Sequence, residues 1–122
     1  MADVTQITSG SLIAAEKVNG TAVYNANQER LGTVQDIMLD KRSGRAIYAV
    51  MSFGGFLGIG KKYHPLPWQT LNYDRSLDGY VVHLDKQMLE NAPSYDSDKA
   101  FAWTPDYGRQ VDSYYRVPTL WQ

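Results

Sequence analysis

Gly, Asn and Asp clusters recur about every 8–12 residues between positions 20 and 85, with short apolar runs between them. That punctuation points to an all-β fold, a small barrel or sandwich. "TAVYNANQERLG" reads as a short strand, Ala22–Tyr24, entering a turn at Asn25 and Asn27. "GTVQDIMLD" is a strand whose alternation breaks, which predicts a bulge. "DKRSG" has turn chemistry, with Asp40 at its start and Gly44 free to take positive φ. "RAIYAVMSFG" is the strongest strand: Ile47, Ala49, Met51 and Phe53 should share one face, Tyr48 and Val50 the other. Apolar residues on both faces make it central. Pro65 and Pro67 confine "KKYHPLPWQTL" to an edge or a strand start. "NYDRSLDG" is another turn. "YVVHLD" alternates, with Tyr80, Val82 and Leu84 inward and Val81 and His83 outward. A short helix follows, capped by Asp85 and ended by Pro93.

A chain of 122 residues is one domain. The expected organisation is an N-terminal segment at 1–19, the barrel at 20–95 and a C-terminal extension at 96–122. The extension carries Phe101, Trp103, Tyr107, Tyr114, Tyr115 and Trp121, a composition that does not belong to a disordered tail. With no cysteine there is no disulfide framework and no thiolate chemistry. No run approaches the ~20 apolar residues of a membrane helix, and the first residues lack a basic leader. The expectation is a cytoplasmic protein with no membrane insertion.

Lys41, Arg42, Arg45, Lys61 and Lys62 fall in a stretch, Lys41–Tyr73, that holds none of the thirteen acidic residues. In a strand meander they divide between the two ends of the 45–53 strand, roughly 30 Å apart at ~3.3 Å per residue. Two small patches result, not one nucleic-acid groove.

"GGFLGIGKK", residues 54–62, has from Gly55 the glycine-to-Gly-Lys spacing of a phosphate-binding loop. Such a loop needs Ser or Thr after the lysine to hold Mg²⁺, and a helix behind it. Lys62 stands in the hydroxyl position, and Pro65 and Pro67 forbid the helix. A strand connection fits better. His64 and His83, the only histidines, read as strand-start and surface residues. Asp36 and Asp40 share a strand side and read as solvent-facing or turn-capping. Ser9, Ser11 and Ser52 have no base nearby in sequence. No catalytic, cofactor-binding or metal-ligating residues are assigned.

The stretch "LGTVQDIMLDKRSGRAIYAVMSFGGFLGIGKKYHPLPWQTL" resembles the PRC-barrel family. The resemblance rests on Gly32, Val34 and Asp36, the Asp40–Gly44 turn, the apolar strand, "GGFLGIG" and Pro67–Trp68. It continues through the strand at 80–85 and "LENAP", over about residues 11–95. These motifs specify a fold, not an activity. The resemblance implies a small PRC-type β-barrel with a short helix after the last strand and an aromatic-rich C-terminal extension. Free-standing bacterial members carry similar extensions. Two settings of the family are the cytoplasmic part of the H subunit of photosynthetic reaction centres and the C-terminal half of a ribosome maturation factor. The first has an N-terminal membrane helix and the second a preceding barrel; residues 1–19 match neither.

The expected function is a non-catalytic protein-interaction or assembly module, self-associating as a homodimer and binding an unknown protein partner, with no cofactor. The alternatives are an RNA- or ribosome-associated factor and a small-ligand-binding barrel. Gly54, Gly55, Gly58 and Gly60 are expected to shape the loop. Phe56, Leu57, Trp103, Tyr107, Tyr114, Tyr115 and Trp121 are the interface candidates, with the extension packed on a barrel.

Overall fold

Strand β3, Ala46–Phe53, lies fifth of seven from one end of a single sheet ordered β5-β6-β1-β2-β3-β4-β7. The structure, a computed structural model, describes residues 11–53, 61–97 and 99–121. β2 (Arg30–Leu39) and β4 (Lys62–Pro67) flank β3 antiparallel, so the middle of the sheet is a meander. β1 (Ala22–Tyr24) pairs antiparallel with β2 and parallel with β6 (Gly79–Val81). β5 (Asn72–Asp74) forms a hairpin with β6, and β7 (Tyr95–Asp96) adds two residues beside β4. Among the described residues there are also four helical pieces: α1 (Ala15–Val18), a 3₁₀ turn (Trp68–Thr70), α2 (Lys86–Glu90) and α3 (Pro105–Tyr115).

One apolar cluster joins Val23 of β1, Val34 of β2, Met51 of β3, Leu66 of β4 and Tyr80 of β6. Strands this far apart in the sheet order can share a cluster only if the sheet curls round it, which makes the fold barrel-like. Val18 of α1 and Leu89 of α2 enter the same cluster. The segment before residue 20 therefore contributes to the core through Val18.

Two bulges adjust the strands. Val34 pairs with Met51 and Asp36 with Val50, which leaves Gln35 as the extra residue the broken alternation implied. At the far end Met38 pairs with Tyr48 and Leu39 with Ala46, which leaves Ile47 extra on β3. This second bulge corrects the expected facing. Ala49, Met51 and Phe53 join the barrel cluster, but Ile47 packs with Tyr48 in a second cluster.

The prolines of β4 sit where they cost no ladder. β7 pairs only with Lys62 and Tyr63, so beyond them Pro65 and Pro67 face β3 alone. His64, between Tyr63 and Pro65, is a further correction. It is only 2 % exposed, paired with Met51 of β3 and edge-on to Phe53 at 5.4 Å. The flanking strand β3 and Phe53 cover a position that the proline-bordered sequence makes look peripheral. His83 is exposed.

The turns behave as their residues dictate. Asp40 accepts from Ser43 Oγ at 2.9 Å, and Gly44 takes φ +75°. Asp85 caps α2 by accepting from Met88 N at 2.7 Å. Gly32 is required for packing: a Cβ there would lie 2.0 Å from the Ser52 carbonyl oxygen.

Candidate functional site: a groove between the β2–β3 turn and the C-terminal segment

The C-terminal extension folds onto the outer face of β3 in its own chain. Thr104 starts α3 by accepting from Tyr107 N at 3.1 Å, and Pro105 takes the first helical position, where no N–H is missed. Arg116, at φ +58°, ends it. Gly108, Val111 and Asp112 are buried on the side facing the sheet. Val111 packs with Ile47 and Tyr48, and Trp103, Tyr107, Tyr115 and Trp121 surround that cluster.

Tyr48 ties the layers together. Its hydroxyl donates to the Asp112 carboxylate, both of whose oxygens lie 3.0 Å away, and accepts from Trp121 Nε1 at 2.8 Å. Burial raises the Asp112 carboxyl above its usual range, an effect only partly offset by the bonds it accepts. Burial also raises the Tyr48 hydroxyl, so it remains a donor at any physiological pH. Tyr107 is pushed up to about 12 by the same cause.

Beside this network lies an open groove of about 1080 Å³. Met38, Ile47, Trp103 and Trp121 form its base, and Leu39 and Leu120 its exposed apolar walls. Lys41, Arg42 and Arg109 stand on its rim. Arg109 is paired with Asp106 on α3. Asp40, also at the rim, is turned into its own loop by Ser43 Oγ and Arg42 N, which lower its pKa.

Of the interface candidates, Trp103, Tyr107, Tyr115 and Trp121 come together on β3, while Tyr114 donates to the Met88 carbonyl at 2.6 Å. Phe101 stacks on Tyr95 with ring centroids 4.2 Å apart. Phe56, Leu57 and the glycines Gly54, Gly55, Gly58 and Gly60 lie outside the described residues. Sequence reasoning missed Tyr48, Asp112, Leu39 and Leu120 as parts of one site. Tyr48 stood out only as an apolar-facing residue, and nothing in the spacing pairs it with a residue sixty-four positions away. Lys62 is not part of the groove; it pairs with Asp96 at the other end of the sheet.

The sequence profile of the PRC-barrel domain matches residues 11–89, more than half of the chain. This chain belongs to the PRC-barrel family. An uncharacterized protein of Deinococcus radiodurans is 27% identical over 85 residues, which cover 68% of this chain and 29% of that protein. The matched region is thus under a third of the relative's length. The PRC-barrel match covers strands β1 to β6 and reaches into α2; it stops before α3, so the groove is formed where the family domain meets the extension. No helix among the described residues is long and apolar enough to cross a membrane. Among the described residues, no three of His, Cys, Asp or Glu gather as a metal ion would require.

Proposed function

We propose that this PRC barrel is a non-catalytic interaction module whose binding face is the groove beside α3. The observation that carries the reading is the pairing of exposed apolar walls, Leu39 and Leu120, with the cations Lys41 and Arg42 across one open depression. An apolar centre with a charged rim is the usual make-up of a protein-recognition surface. The self-association expected of the extension finds less support: the aromatics that would bridge two barrels are spent on the chain's own β3. The reading takes the partner to be a different protein. The test is affinity capture from a bacterial lysate with the tagged chain and with a Leu39→Asp/Leu120→Asp variant, followed by calorimetry with each purified captured protein. The reading expects a protein that rebinds the wild type one-to-one and is lost with the variant. A captured set that rebinds both forms equally, or no protein that rebinds, overturns it.

A further inference from the structure

We infer that the groove takes an extended acidic segment of a partner protein, seated by aliphatic side chains. This inference rests on the interaction reading above and adds the chemistry of the partner. The groove is large for a small-molecule site, at or above the roughly 300–1,000 Å³ typical of such pockets, and it opens to solvent. A wide, open depression suits a length of chain better than a compact molecule. Its walls are aliphatic: Leu39 is 54% exposed and Leu120 45%. An isolated exposed leucine means nothing, but two across one depression make an apolar seat.

The rim sets the charge of what sits there. Lys41 and Arg42 have no carboxylate within ion-pair distance among the described residues, whose pairs are Lys62–Asp96, Lys99–Asp96 and Arg109–Asp106. Arg45, in the same turn, adds a third exposed cation. The opposing charges are Asp40, held within its loop, Asp106, held by Arg109, and Asp112, buried beneath the groove and bonded to Tyr48. Excess positive charge beside aliphatic walls complements glutamate or aspartate set between leucine-like residues. A single-stranded nucleic acid would need open aromatic faces for its bases. Trp103 and Trp121 do not offer a stacking pair: both are half-buried, with Trp103 tilted against Tyr48 at 5.4 Å and Trp121 edge-on to it at 6.3 Å.

The test is fluorescence anisotropy of the intact chain with three labelled probes. These are a short glutamate-rich peptide carrying two leucines, the same peptide with lysine for glutamate, and a short oligouridylate. The acidic peptide should bind saturably and weaken with added salt. Its affinity should fall at least about tenfold in Lys41→Glu/Arg42→Glu, and also in Leu120→Asp. Lys41 and Arg42 are exposed turn residues, so circular dichroism should report an unchanged fold in the first variant. Equal binding of the lysine peptide, an unaffected charge-reversal variant, or saturable binding of oligouridylate alone overturns the inference. If a captured protein rebinds one-to-one and is lost with the Leu39→Asp/Leu120→Asp variant while the acidic peptide fails, the interaction module stands and its acidic partner does not.

Discussion

Trp121 Nε1 donates to Tyr48 Oη at 2.8 Å across seventy-three positions of sequence, closing the C-terminal segment over β3. The same hydroxyl donates to Asp112, so one buried oxygen satisfies an acceptor on α3 and a donor from the segment after it. The first prediction follows from this. Tyr48→Phe keeps the ring but removes the Tyr48 donor from the buried Asp112 carboxylate and leaves Trp121 Nε1 without its acceptor. An unsatisfied buried group costs about 1–3 kcal/mol. The urea midpoint should fall accordingly. Tyr48→Phe combined with Asp112→Leu should recover part of the loss, because both partners are then apolar. A single variant as stable as the wild type would remove Tyr48 as the tie.

Gly108 lies on α3 directly against the Trp121 indole. A Cβ there would come within 2.4 Å of the ring, so Gly108→Ala must displace it. Alanine is the better helix former by about 1 kcal/mol, yet the variant should be less stable, because overpacking costs about 1–3 kcal/mol. Tryptophan emission should shift to the red as Trp121 leaves its pocket. A stabilised variant with unchanged emission would show that the indole does not pack there.

Cutting the chain after Asp96 strips β3 of its outer cover and exposes Ile47 and Tyr48. The loss should exceed about 3 kcal/mol, the cost of emptying one large aromatic site. The contacts lie within one chain, so the thermal midpoint of the full chain should not depend on its concentration. A midpoint that rises with concentration would mean that the extension is exchanged between chains, since association stabilises by mass action.

How much of this was legible depends on the range of the signal. β3, the Asp40–Gly44 turn and the Asp85 cap declare themselves within a few residues. The curled sheet needs β1 beside β6 in parallel, a pairing between segments over fifty residues apart that no local pattern announces. α3 is a different case. Thr104 and Pro105 carry a helix-start signal in plain sight, but Gly108 and Asp112 interrupt an ordinary amphipathic pattern. Both make sense only against the sheet, Gly108 giving way to Trp121 and Asp112 accepting from Tyr48. His64 misleads for a related reason, because its burial comes from β3 and Phe53 and not from its neighbours in sequence.

His64 also gives the fold a dependence on pH. Burial first, and then the nearby charge of Lys62, lower its pKa to about 4. Its Nδ1 is buried with no hydrogen-bond partner among the described residues, so the protonated ring has nothing there to donate to. An unfolded histidine titrates near 6.5. The folded state binds this proton less tightly than the unfolded chain does. The stability His64 contributes is therefore complete above about pH 6.5 and is lost as pH falls toward 4, a change of roughly 2–3 kcal/mol. Asp112 acts in the opposite sense. Its raised pKa means that acidification relieves the cost of a buried carboxylate, so its contribution grows as pH falls through its folded value. Variants separate the two. Urea midpoints measured from pH 7 to pH 4 should fall steeply for the wild type, less for His64→Met, and more steeply still for Asp112→Asn. The same slope in His64→Met and wild type would assign the acid sensitivity elsewhere.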